Sequence, residues 1–225
     1  MGVTAVTSSS WRYLLFDLDN TLYSDEAGLL THIDQRINYY LAARLGLAME
    51  DINRLRREYW LRYGTTLRGV KETHGLDPRE YIAYAYDIDV TRFLQPDARL
   101  AIALQRLPWP KAIFTNSPAC HARSVLDALG VADRFERIFD IGFSAHRGKP
   151  DPETYRMVLA ALGVSGAACV MIDDCAVNLR PARNLGMTTI YLGQDEPEWA
   201  DYHLSSILAL EEALLGTEPA SSYIP

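Results

Sequence analysis

Two aspartates, Asp17 and Asp19, stand two residues apart at the end of the apolar run WRYLLFD, with Asn20 and Thr21 behind them. Like charges held that close raise each other's pKa, so the pair calls for a cation. Three further clusters share the setting. Thr115, Asn116 and Ser117 follow the apolar KAIF. Hydroxyls opening a helix suit an anion. Lys149 is held between Gly148 and Pro150, a stiff surrounding for a cationic side chain. Asp173 and Asp174 close the apolar ACVMI, with Asn178 further on. Adjacent carboxylates suit a hard cation with oxygen ligands. Taken singly, each cluster has a plainer reading. The aspartates and hydroxyls could cap helices, and the lysine could lie on a solvated surface.

The elements around these clusters argue for more. Buried strands are expected at 11–17, 111–115, 138–142, 168–173 and 188–192. Helices are expected at 97–107, 118–129, 151–162, 176–185 and 205–215, several of them ended by glycine. Strands alternating with helices predict an α/β fold with a parallel sheet covered on both faces. Residues 24–95 have a different texture. Apolar residues recur there at helical spacing over 28–46 and 49–63, and Pro78 opens a third helix over 78–86. The chain thus divides into an α/β core, 11–23 and 96–216, and a helical domain, 24–95, inserted after the first strand. In open α/β sheets ligands bind at the carboxyl ends of the strands. Asp17, Asp19, Thr115, Lys149, Asp173 and Asp174 all fall at those ends. Four carboxylates gathered there require a divalent cation, and one lysine and one hydroxyl beside them suggest a phosphoryl group.

The composition agrees. With 225 residues, 48% of them hydrophobic, the chain can build one good core plus a small accessory domain. Lys plus Arg is 22 against 29 for Asp plus Glu, a net charge of −7, which repels a nucleic acid backbone. Three scattered cysteines make neither a disulfide framework nor a zinc site and fit a reducing cytoplasm. No apolar run approaches the ~18 residues of a membrane span. Residues 1–10 read as a frayed tail without the basic and apolar parts of a secretory signal, and the stretch after Gly216 as a flexible tail. The expectation is a cytoplasmic protein with no membrane or nucleic acid polymer as partner, a monomer or homodimer.

The four clusters, in this order, resemble the motifs of the haloacid dehalogenase (HAD) superfamily: D-x-D-x-T, a Ser or Thr after the second strand, a Lys, and an acidic pair. The resemblance covers about 12–193 and implies a Rossmann-like core with a helical cap domain inserted after the first motif. Residues 16–23, 63–69 and Asp173, Asp174 with Asn178 are similar to the pyrimidine 5′-nucleotidase branch. The resemblance implies a Mg²⁺-dependent phosphatase of a small phosphorylated metabolite. Asp17 would be the nucleophile that forms an aspartyl-phosphate, and Asp19 the acid and base. Asp17, the backbone carbonyl of Asp19, Asp173 and Asp174 would hold Mg²⁺. Thr115, the Asn116 N–H and Lys149 would bind the phosphoryl oxygens. Thr65, Thr66 and Arg68 are candidates for contacts to the rest of the substrate, with a capping or packing role as their alternative.

Three other readings stay open. A dehalogenase on this fold needs neither Mg²⁺ nor Asp19. A phosphomutase shares the aspartyl-phosphate. A phosphate- or protein-binding module could keep the fold without turnover. His32, His74, His121, His146 and His203 show no metal-ligand spacing, and Tyr59 and Trp60 read as the insert's own core.

Overall fold

The computed structural model describes residues 11–194 and 197–216. Six parallel strands form one sheet in the order β3-β2-β1-β4-β5-β6: β1 (Tyr13–Phe16), β2 (Lys111–Phe114), β3 (Arg137–Phe139), β4 (Cys169–Asp173), β5 (Thr188–Leu192) and β6 (Tyr202–Leu204). The chain moves outward from β1 through β2 to β3, then returns to the other side of β1 for β4. The order reverses beside β1, which is where such sheets open a crevice. Phe16 pairs with Ile113 on one side and Ile172 on the other, so the strand ends come level.

The central strands are buried on both faces, as their unbroken apolar runs require. Leu14, Phe16, Ile113, Val170 and Ile172 face α5 (Ala98–Arg106), α6 (Ala119–Leu129) and α9 (Leu210–Leu215). Leu15, Ala112, Phe114 and Met171 belong to a second cluster with Tyr155 of α7 (Pro152–Leu162) and Leu179 of α8 (Ala176–Asn184). Each fully buried Leu, Ile or Phe stabilises the fold by about 1.5–3 kcal/mol.

Between β1 and α5 lie four helices: α1 (Leu29–Leu45), α2 (Met49–Tyr63), α3 (Thr66–His74) and α4 (Pro78–Ala85). Their apolar faces join the first cluster through Leu29, Ile33, Leu41, Ile52 and Val70. The helix α3 is not visible as periodicity. It is short, polar and carries Gly69, a poor helix former. The glycine is there because α2 and α3 touch: a Cβ at Gly69 would lie 2.3–2.6 Å from the Tyr59 side chain. At the other end, β6 has only three residues at the sheet edge, too few for alternation to show. The single helix expected over 205–215 is a 3-10 turn, Ile207–Ala209, followed by α9. The tails expected at 1–10 and beyond Gly216 lie outside the described residues. No helix among the described residues is long and apolar enough to cross a membrane.

Candidate active site

Strand ends supply the first half of the site. Asp17 follows β1 directly, and its N–H donates to the Ile172 carbonyl at 2.9 Å, so the backbone is still locked to the sheet. Asp173 is the last residue of β4. Between them lies Lys149, only 1% exposed. Its Nζ donates to Asp17 Oδ1 at 2.8 Å and to Asp173 Oδ2 at 2.6 Å. Lys149 is thus not the solvated surface lysine of the plainer reading but a buried cation bridging two buried carboxylates. Asp173 also accepts bonds from the Cys175 N–H (2.8 Å) and from Asn178 Nδ2 (3.1 Å to Oδ1). Asp174 is steered by Asn20, whose Nδ2 donates to Asp174 Oδ2 at 2.7 Å. Asn20 takes a left-handed φ of 60°, which Asn tolerates better than most residues.

Carboxylate oxygens of Asp17, Asp173 and Asp174 lie within 4.8 Å of one another. Burial pushes both Asp17 and Asp173 up to about 6, against the pull of Lys149. One ammonium does not offset three converging carboxylates. An all-oxygen donor set with surplus negative charge fits a hard divalent cation such as Mg²⁺. The Asp19 carboxylate stands outside this group.

Asp19 has its own surroundings. Its carboxylate accepts bonds from Tyr23 Oη at 2.7 Å, from Ser117 Oγ, and meets His121 Nε2 at 2.9 Å. Burial acts to raise its pKa, but the hydrogen bonds and charge of His121, with Ser117 and Tyr23, outweigh burial and hold it below the usual carboxylate range. His121 is 2% exposed at the start of α6, and the Tyr86 ring packs on it with centroids 5.1 Å apart.

The loop after β2 carries the hydroxyl and amide groups. Thr115 is buried, and its Oγ1 accepts the Ser117 N–H at 3.0 Å. Accepting that bond does not use the hydroxyl's own hydrogen. Asn116 grips the Lys149 backbone at two points: Nδ2 donates to the Lys149 carbonyl at 2.9 Å, and Oδ1 accepts the Lys149 N–H at 2.7 Å. The loop after β2 and the loop holding Lys149 are therefore one unit.

The insert meets this edge at Gly64, between α2 and α3. Its φ is +83°, and a Cβ there would lie 3.1 Å from Pro150 Cδ and 3.2 Å from the Lys149 carbonyl oxygen. Nearby, α3 is pinned to the core by Arg68, whose Nη1 is 3.0 Å from Asp151 Oδ2, the N-cap of α7. Arg68 does not line the cavity described next; it is a strut between insert and core. Thr65 caps α3, its Oγ1 accepting the Arg68 N–H at 3.1 Å. Thr65 and Thr66 do line a cavity of about 350 Å³ between the insert and the loop carrying Asn116 and Ser117. Trp60 lines it too. Tyr59 is buried as expected, but Trp60 is 46% exposed and is not core.

Sequence reasoning missed His121, Tyr23 and Ser117 as partners of Asp19. Spacing offers no signal for a carboxylate and a histidine 102 residues apart. The one available hint was position. His121 falls on the helix opened by the hydroxyl cluster, on the side of the loop that must face the strand ends.

A doubly wound sheet that gathers an acidic cluster able to hold a cation, a buried lysine and hydroxyl groups at one crevice has the Rossmann-like architecture of a family of hydrolases. The chain belongs to the haloacid dehalogenase-like hydrolase family, whose model matches residues 11–186. It is 31% identical over 196 residues to the phosphoglycolate phosphatase of Pectobacterium atrosepticum, covering 80% of this chain and 81% of that one. It is 28% identical over 191 residues to phosphate metabolism protein 8 of Saccharomyces cerevisiae, covering 78% of this chain. The matched region spans 60% of that yeast protein's length. Among solved structures, the HAD phosphatase from Thermococcus onnurineus shares the fold, with a TM-score of 0.64, 21% identity, and coverage of 92% of this chain and 100% of that one.

Proposed function

We propose that the protein is a Mg²⁺-dependent phosphatase of small phosphomonoesters, with Asp17 as nucleophile and residues 24–95 as a cap over the site. The observation that carries this reading is the split between two carboxylates two residues apart. Asp17 lies in the cation cluster with Lys149, while Asp19 lies in a separate cage of proton donors. One carboxylate is placed to attack and the other to move protons.

In the first half-reaction an Asp17 oxygen attacks phosphorus, the bond to the leaving oxygen breaks, and Asp19 gives that oxygen its proton. In the second, Asp19 takes a proton from water as the water oxygen attacks phosphorus and the bond to Asp17 breaks. The donors around Asp19 favour its charged form, which the second half needs. Lys149 has three N–H donors and spends two on Asp17 and Asp173, leaving one for a phosphoryl oxygen. The Thr115 hydroxyl and Asn116 N–H would take the others. Asp17, Asp173, Asp174 and the Asp19 carbonyl would hold Mg²⁺. The ion supplies charge that lets an anionic nucleophile approach an anionic phosphate.

The finer reading is a pyrimidine nucleoside 5′-monophosphate as substrate. Its support is residues 63–69, which span the Gly64 turn and the start of α3 beside Lys149. The test is phosphate release from pyrimidine and purine monophosphates, sugar phosphates and phosphoglycolate, with Mg²⁺, with EDTA, and with Asp17→Asn. Metal-dependent release that vanishes in the variant is expected. Full activity in Asp17→Asn would overturn the mechanism.

A further inference from the structure

The cavity beside Ser117 has a chemical character of its own. Its walls come from α1 through Leu30 and Ile37, from α2 through Trp60, and from α4 through Tyr81 and Ile82. Tyr86, packed on His121, and Pro118 close it on the core side. No Lys, Arg or His is among its described lining residues. Its single charged lining group is the Asp34 carboxylate. Arg56 pairs with Asp34 and also donates to the Asp34 carbonyl at 3.2 Å and to Asn38 Oδ1 at 2.6 Å, so that cation is already engaged. Trp60, half exposed on the rim, offers an aromatic face.

We propose that this cavity receives the leaving group of the substrate, and that it selects an uncharged, largely apolar or aromatic group while rejecting one that carries a carboxylate or second phosphate. The inference rests on the phosphatase reading for its orientation. Ser117 lies at the junction: it lines the cavity and bonds the carboxylate that would protonate the leaving oxygen. A group attached to that oxygen would therefore adjoin this cavity through Ser117. An anion placed there would meet aromatic and apolar faces and an Asp34 whose Arg56 partner is already engaged, with no free cation among the described lining residues to replace its lost hydration. The site would thus discriminate against phosphoglycolate, which the Pectobacterium relative's name gives as its substrate.

Three aryl phosphates of matched shape test this: phenyl phosphate, 4-carbamoylphenyl phosphate and 4-carboxyphenyl phosphate. Phosphate release would be measured with Mg²⁺ at neutral pH, and binding of the three corresponding arylphosphonates by calorimetry. The carboxylate should lower both kcat/KM and affinity at least about tenfold against the carboxamide, the cost of a charge that loses hydration without gaining a partner. Thr66→Lys, which adds a cation to the wall, should shrink that ratio. Equal kcat/KM and equal binding for the carboxylate and carboxamide would overturn the cavity assignment and leave the phosphatase reading intact. Selective phosphonate binding without phosphate release would do the reverse. Absence of both binding and release would count against both.

Discussion

His121 Nε2 stands 2.9 Å from Asp19 Oδ1, joining a helix start in the core to the second aspartate of the first motif. Ser117 and Tyr23 complete the donor set, so three side chains fix one carboxylate. In the proposed reaction Asp19 gives and takes protons, and a group with that task depends on such fixing. His121→Ala should lower kcat about 10- to 100-fold, the worth of one hydrogen bond to a charged group. Its KM should stay within about twofold, because the imidazole orients Asp19 rather than holding substrate. His121→Gln, which keeps an N–H near the same place, should recover part of the loss. Equal falls in kcat in both variants, or a rise in KM alone, would count against positioning. Steady-state kinetics of the two variants decides it.

Lys149 pairs with two buried carboxylates at once. Lys149→Met leaves both without a cation, and breaking a buried pair in this way costs about 3–5 kcal/mol. The variant should melt well below the wild type in EDTA, and Mg²⁺ should raise its midpoint more than that of the wild type. An unchanged melting temperature in EDTA would show that the two carboxylates do not depend on the ammonium.

Much of this was legible in the sequence, because strands buried on both faces write themselves as unbroken apolar runs. WRYLLFD, KAIF and ACVMI each end on a chemical group, and the structure brings those ends level. What could not be read was anything decided by contact between distant segments. The burial of Lys149 depends on two aspartates reached only through the fold. Arg68 was a candidate for substrate contact because of its place near Thr65 and Thr66, yet its partner is Asp151, 83 residues away. Trp60 and Tyr59 are neighbours in sequence but stand about 100° apart on α2. One is packed inside and the other opens onto the cavity.

Arg68 therefore yields its own expectation. Arg68→Met removes a partly buried strut, worth about 1 kcal/mol. The order of preference among substrates should not change. A panel of phosphomonoesters compared between variant and wild type would detect any reordering, which would return Arg68 to the substrate.

At Gly64 the insert rests on the loop that carries Lys149. Gly64→Ala would force a Cβ into a left-handed position, costing about 1–2 kcal/mol, and push against Pro150 and the Lys149 carbonyl. Both stability and kcat/KM should fall. Thermal melts and kinetics read the two effects separately, and a variant that loses stability alone would show that the insert's seating does not reach the chemistry.

Asn116 grips Lys149 through two bonds that run in opposite senses, an amide nitrogen against a carbonyl and an amide oxygen against an N–H. Neither end can be exchanged. Turning the amide over, or replacing its nitrogen with oxygen as Asn116→Asp or spontaneous deamidation would, sets oxygen against oxygen. The change is almost without volume, yet it would part the loop after β2 from the loop holding Lys149. The molecule thus carries a one-atom point of chemical ageing: a preparation could keep its mass to within a dalton, and its fold, while losing the alignment of its site.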